Sequence, residues 1–244
     1  MIVFENIFFS YGSHQILKDI NLAIEESEKI AILGGSGGGK TTVLKLIVGL
    51  LKPDSGKIFI DGEDITAKSE DELMDVRRKF SIVFQDGALF DSLNVKENVA
   101  FCLREYTKMS EAEIDDKVRE LLEIVGVEHA MQYMPDELSG GMHRRVAIAR
   151  SLAVTQPKMF LYDEATTGLD PVNAENICKL IMDLSKNGTG HIIVTHKVVD
   201  ALRVADRFMF LKNGSIVFDG DKYALAKSDI HDIAVFISEL KYKI

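Results

Sequence analysis

Nine residues, GGSGGGKTT, run from Gly34 to Thr42 between an apolar run, KIAIL, and a second one, VLKLIVGLL. Gly34, Gly39, Lys40 and Thr41 satisfy the spacing G-x-x-x-x-G-K-[ST]. Glycine loses more backbone freedom on folding than any other residue, so a loop this rich in it implies a need for bare backbone. Successive N–H groups converging at a helix N-terminus hold an anion. In that chemistry Gly34, Gly35, Ser36, Gly37, Gly38 and Gly39 form a phosphate cradle that Thr42 completes. Lys40 then reaches the β- and γ-phosphates of a nucleotide, and the Thr41 hydroxyl holds Mg²⁺. The plain alternative is a flexible turn with a chance lysine.

Two further stretches bear on the same chemistry. In MFLYDE, Met159 to Glu164, four apolar residues run into two acids, and open α/β sheets place ligands at such strand ends. Asp163 is the candidate Mg²⁺ partner and Glu164 the general base for water, a role worth roughly 10²–10⁴ in rate. LSGGM, Leu138 to Met142, precedes HRRVAIARSLAV, in which Val146, Ile148, Ala149 and Leu152 keep helical spacing. Ser139, Gly140 and Gly141 thus make a second anion loop opening a helix. One nucleotide does not need two such loops from one chain. The economical arrangement is a dimer in which each Ser-Gly-Gly loop covers phosphates held by the other subunit.

The elements that must position these residues are readable as short apolar runs bounded by Gly, Asp or Asn. IVF (2–4), IAIL (30–33), KIFI (57–60), SIVF (81–84), MFLY (159–162), HIIVT (191–195), RFMFL (207–211) and SIVF (215–218) read as buried strands. Helical patterns follow the glycine loop at 41–50 and recur at 172–186, with Ile177, Leu180, Ile181 and Leu184 on one face. Strands alternating with helices predict an α/β sheet, parallel at its centre. The first strands, separated by YGSHQ and EES, predict an antiparallel addition. From about 95 to 156 only helices are expected. One of them opens on the capping box Ser110–Glu113, carries Ile114, Val118, Leu121, Leu122 and Val125, and closes at Gly126.

The bulk numbers restrict the setting. The chain has 244 residues, 46% of them hydrophobic and 27% charged, with a net charge of -9, which disfavours nucleic-acid backbone binding. Cys102 and Cys178 match no metal or redox spacing and are expected as reduced core thiols. No apolar run approaches the roughly 18 residues of a membrane span, and the first twenty residues show no signal-peptide pattern. A cytoplasmic protein is expected, with any membrane spans supplied by other chains.

Taken together, GGSGGGKT, LSGGM and MFLYDE resemble, in order and spacing, the Walker A loop, signature loop and Walker B strand of the ATP-binding subunits of ABC transporters, over essentially the whole chain. The resemblance implies ATP and Mg²⁺ as cofactors. The implied fold is a P-loop NTPase (RecA-like) α/β core over 1–86 and 157–220 with an N-terminal antiparallel β add-on. A helical signature subdomain (87–156) is inserted and a helical extension (221–244) follows. It also implies roles residue by residue. Tyr11 stacks on adenine. Gln85 senses Mg²⁺ and the γ-phosphate and joins the two lobes. Asp170, which could equally cap a helix before Pro171, lies at the dimer seam. His196 hydrogen-bonds the γ-phosphate.

Met142 stands where the family has glutamine, and Ala165 where a proline often follows the glutamate. Neither removes a group assigned to chemistry. With VFQDGALFDSLNVKENVAF (83–101) and YDEATTGLDP, the Met-ended signature is similar to the ATPase of MCE-type, Mla-like phospholipid transport systems. That implies permease subunits as partners, with an MCE-type substrate-binding protein and an accessory subunit, at the inner face of the cell membrane. Ala88, Leu89, Phe90 and Leu93 are then expected to line a groove for a cytoplasmic helix of the permease. Rival readings are an importer ATPase for amino acids or metals, a soluble ABC-type ATPase of DNA repair or translation, and a regulatory module without turnover. Ile233, Phe236, Ile237 and Leu240 form a last apolar stripe, expected to dock on its own chain or on the dimer mate.

Overall fold

The computed structural model describes residues 2–153, 157–186 and 188–241, without the side chains of 239–241. Strands β1 (Ile2–Tyr11) and β2 (His14–Ile24) alternate buried and exposed residues and pair antiparallel, as a half-buried sheet should. β3 (Lys29–Leu33) is almost wholly buried and leads through the glycine loop into α1 (Lys40–Ile47). β4 (Ser55–Ile60), β5 (Glu63–Asp64), α2 (Glu70–Arg77) and β6 (Phe80–Val83) follow. Then come α3 (Val95–Tyr106), α4 (Glu111–Ile124) and α5 (Gly140–Leu152), with no strand among the described residues of that stretch. The chain returns as β7 (Met159–Asp163), α6 (Pro171–Leu184), β8 (Gly190–Thr195), α7 (Val198–Val204), β9 (Arg207–Lys212), β10 (Ser215–Asp221), α8 (Lys222–Ala226) and α9 (His231–Lys241).

Two sheets result. One is antiparallel, in the order β2-β1-β4-β5; the other runs β10-β9-β3-β8-β7-β6. The second is parallel from β9 to β6, and only β10 pairs antiparallel. The predicted α/β core with an antiparallel addition is therefore present, and KIFI (57–60) belongs to the addition. Period-two alternation divides the parallel sheet between two cores. Ile30, Ile32, Met159, Leu161, Ile192 and Val194 face α1 and the antiparallel sheet. Ala31, Leu33, Phe160, Tyr162 and Ile193 face the helices on the other side. Both faces are covered, which is why these strands read as unbroken apolar runs.

The α4 expectations hold at atomic detail. Ser110 and Glu113 cap reciprocally. Gly126 takes φ 71°, and the Val127 N–H reaches the Leu122 carbonyl at 2.9 Å, the closure of a Schellman turn. Ile114, Val118, Leu121 and Leu122 are buried, each stabilising by about 1.5–3 kcal/mol. At the C-terminus, Ile233 is buried and Phe236 packs edge-on against Phe210 at 5.2 Å, so α9 docks on its own chain. The expected contact of Leu240 lies outside the described side chains. Cys178 is a core thiol as expected, whereas Cys102 is only half-buried.

Candidate functional site: a cleft at the ends of four parallel strands

Strands β3, β8, β7 and β6 lie side by side and parallel, so their C-terminal ends deliver the glycine loop, His196, Asp163 with Glu164, and Gln85 to one edge of the sheet. Such an edge is where open α/β sheets bind ligands. An open cleft of about 300 Å³ is lined there by Tyr11, Ile16, Ser36 to Thr42, Gln85 and Glu164. The glycines are sterically required at its ends. Gly34 holds φ 155°, and a Cβ there would lie 2.4 Å from the Leu211 carbonyl oxygen. Gly39, which precedes α1 at φ 97°, would meet Leu17 at 2.7 Å.

Lys40 is 5% exposed, and its ammonium donates to the Gly34 and Gly35 carbonyls, both at 3.0 Å. The same Nζ is 3.6 Å from Glu164 Oε1. Alternation along β7 turns Asp163 to the face shared by Met159 and Leu161, toward α1, where the Thr41 hydroxyl donates to Asp163 Oδ1 at 2.9 Å. Burial pushes the Asp163 carboxyl above its ordinary value, against the lowering effect of that hydrogen bond. Among the described residues no three His, Cys, Asp or Glu side chains cluster as a metal cage. The donor set at Thr41 and Asp163 nevertheless suits Mg²⁺, which takes one or two protein oxygens and completes its shell with phosphate and water.

Glu164 leaves the strand with φ 50°, an uncommon conformation for a non-glycine residue, while its N–H keeps a 2.9 Å bond to the Val194 carbonyl. Its Oε2 faces His196 Nδ1 at 2.9 Å and accepts from Thr167 Oγ1 at 2.7 Å. Burial raises its pKa, but the hydrogen bonds from His196 and Thr167 outweigh that and hold the carboxyl below its ordinary value. His196 thus meets the cleft through Glu164.

The second glycine loop lies elsewhere. Ser139 caps α5 by accepting from the Met142 N–H at 3.3 Å, and Ser139 and Gly140 are exposed. Gly140 sits beside Leu169, and a Cβ on Gly141 would lie 2.9 Å from Asn173 Oδ1. Ser139, Gly140 and Gly141 are absent from the cleft's lining. Asp170 is exposed and caps α6, accepting from the Val172 and Asn173 N–H groups at 3.0 Å each. Tyr11 is about half exposed and packs edge-on against Phe9 at 4.8 Å.

The stretch expected to line a partner groove divides between a hollow and the packing around it. A hollow of about 430 Å³ includes Ala88, with Met74, Phe84, Cys102 and Tyr106 as apolar walls and Arg77, Arg78 and Arg150 beside them; Leu89, Phe90 and Leu93 are not in its lining. Leu89, partly buried, packs against the core beneath the helices, and Phe90 meets Phe101 at a tilt, ring centroids 4.8 Å apart. Sequence reading missed the residues that shape this loop. Asn98, fully buried, accepts from the Phe90 N–H at 2.8 Å and donates to the Leu93 carbonyl at 2.8 Å. A buried asparagine inside an apolar helix stripe was the available signal, since such a group must be paired.

A family model described as ABC transporter matches residues 17–167. The Probable ribonucleotide transport ATP-binding protein mkl of Mycobacterium leprae is 43% identical over 230 residues, covering 94% of this chain and 66% of its own length. The chain thus spans just under two thirds of that relative. The Intermembrane phospholipid transport system ATP-binding protein MlaF of Escherichia coli K12 is 41% identical over 221 residues, covering 90% of this chain and 82% of its own. Among solved structures, the ATP-binding cassette MJ0796, dimeric and bound to ADP and Pi, superposes with a TM-score of 0.84. It is 34% identical, covering 91% of this chain and 98% of that one.

Proposed function

Since this chain belongs to the ABC transporter family, we propose that it is the ATP-hydrolysing motor subunit of a transporter, working as a pair of copies closed around two Mg-ATP. The observation that carries the reading is the convergence of Lys40, the Thr41–Asp163 pair and the Glu164–His196 pair on one cleft. In this reading the N–H groups of 34–42 cradle the phosphates and Lys40 exchanges its loop carbonyls for phosphate oxygens. Tyr11 stacks on the base, a contact of roughly 1–3 kcal/mol. Thr41, Asp163 and Gln85 would hold Mg²⁺, which would neutralise charge on the phosphates. Glu164 accepts a proton from the attacking water at a carboxylate oxygen. His196 and Thr167 fix that carboxylate's orientation, and His196 reports the γ-phosphate. Ser139, Gly140 and Gly141 of one copy cover the nucleotide of the other, with Asp170 at the seam.

Closure and opening of the pair would move the helices of 87–156 against the 1–86 and 157–220 core, and the hollow beside Ala88 would pass that motion to a permease helix. No helix among the described residues is long and apolar enough to cross a membrane; in this reading permease partners supply the spans and the subunit sits on the inner membrane face. The similarity to MlaF favours phospholipid cargo and an MCE-type partner with its accessory subunit. The name of the mycobacterial relatives favours a second reading, a small polar solute. Reconstituting the assembled complex and measuring ATP-dependent lipid movement tests the choice. Glu164→Gln should retain ATP affinity and lose turnover, and unchanged turnover would remove the base assignment.

A further inference from the structure

The loop from Phe84 to Phe90 carries Gln85 into the cleft, and it is fastened to α5 by guanidinium groups. Arg144, one turn into α5, is 7% exposed. Its Nη1 donates to the Phe84 carbonyl at 3.0 Å and also to the Gln85 carbonyl. Its Nε is buried without a hydrogen-bond partner. Asp86 and Asp163 are the carboxylates whose charges act on it, and among the described residues it forms no direct ion pair. Further along the helix, Arg150 donates to the Ala88 carbonyl at 2.6 Å. Between them the loop is pressed close. Gly87 and Ala88 hold φ 69° and 50°, and a Cβ on Gly87 would lie 2.9 Å from His143 Cε1.

Burying a guanidinium against carbonyl oxygens, with no carboxylate in contact, is costly. Anchoring a surface loop does not require it, because a neutral donor would serve. What the cation adds is strength and a fixed position: one nitrogen, Nη1, carried on a planar group pre-organised by the helix, serves two consecutive carbonyls. Arg144 lies four residues from Gly140, within the first turns of the helix that Ser139 caps. A displacement of the Ser-Gly-Gly turn is therefore a displacement of the residue gripping Gln85.

We propose that Arg144 is a positioning residue that makes Gln85 move with α5, so that seating Ser139–Gly141 on one nucleotide sets the reach of Gln85 toward the other. The proposal rests on the reading that Ser139–Gly141 cover the partner copy's nucleotide. Its consequence is cooperativity between the two sites, carried by a side chain that touches neither ATP.

The test compares wild type, Arg144→Met and Arg144→Lys in the full chain, measuring the Kd of a fluorescent ATP analogue, kcat, the Hill coefficient for ATP and Tm. Arg144→Met should keep nucleotide Kd within about twofold and lower kcat about tenfold to a hundredfold, the range expected for a misplaced group. Its Hill coefficient should fall from near two toward one. Arg144→Lys, which keeps the charge and a donor nitrogen but loses the planar group, should recover part of both. Wild-type kcat and Hill coefficient in Arg144→Met would overturn the proposal, as would a parallel loss of Kd, kcat and Tm that lysine does not relieve. Should Arg144→Met fail to fold, Arg144→Lys decides: wild-type kcat and cooperativity there overturn it. A wild-type chain that hydrolyses ATP with a Hill coefficient of one would overturn the two-copy reading and this proposal together. A cooperative wild type with an unaltered Arg144→Met overturns this proposal alone.

Discussion

The loops at 34–42 and 139–141 are both glycine-bearing turns that open a helix, and the chain completes only the first. Around Gly34–Thr42 it gathers an ammonium, a hydroxyl–carboxylate pair and a second carboxylate with its histidine. Around Ser139–Gly141 it supplies a cap bond to Met142, a leucine and an asparagine, and leaves Ser139 and Gly140 in solvent. The same local physics, N–H groups converging at a helix start, yields a finished cradle in one place and an open half in the other. In the proposed pair, a second copy completes that open half.

The largest expected effect breaks the first loop's chemistry. Glu164→Gln should lower kcat by about 10²–10⁴ or more with nucleotide affinity retained, measured by steady-state turnover beside equilibrium binding. Because its hydrogen bonds hold Glu164 below the ordinary carboxylate range, protonation of this carboxyl should not be what first lowers wild-type turnover in acid.

Acid should instead weaken the frame under both loops. His191, buried at the start of β8, faces Ser185 Oγ at 2.8 Å and the Val204 carbonyl at 2.7 Å, and burial pushes its pKa down to about 4. The unfolded chain takes up a proton near pH 6.5 that the folded chain refuses, so this contribution is present above that pH. It is lost as pH falls from about 6.5 toward 4, up to about 3 kcal/mol in all. Denaturant midpoints should follow that slope in wild type and lose part of it in His191→Asn.

The next effects sharpen the contrast between the loops. Lys40→Ala should weaken ATP binding about tenfold or more by titration, whereas Gly141→Ala, crowding Asn173, should leave single-chain binding near wild type and lower turnover. Equal damage to binding from both would erase the distinction. Smallest is Asp170→Ala, which removes the α6 cap at a cost of about 1 kcal/mol, or roughly 2–4 °C in Tm for a chain of this size.

How much of this was legible before folding depends on sequence distance. The glycine loop, the acid pair and the Ser-Gly-Gly turn are contiguous, each with a strand or helix beside it, and α4 announces itself through Ser110, Glu113 and Gly126. α2 is capped as well by Ser69 and Glu72, but with only Leu73 and Val76 buried its stripe is too short to stand out. The order that brings β3, β8, β7 and β6 together has no local trace. Nor do the grips of Arg144 and Arg150 on Gln85 and Ala88, which join residues some sixty positions apart. The hollow beside Ala88 was hidden for the same reason: Met74, Cys102 and Tyr106 reach it from α2 and α3.

The most direct test of the half-site account is photolabelling in a mixed pair. An isotopically heavy chain carrying Lys40→Ala, unable to hold its own nucleotide, is combined with a light Glu164→Gln chain loaded with Mg²⁺ and an ATP analogue photoreactive at the γ-phosphate, and adducts are mapped by mass. The account predicts adducts at residues 139–142 of the heavy chain. Adducts confined to the light chain, with the pair demonstrably formed, would contradict it.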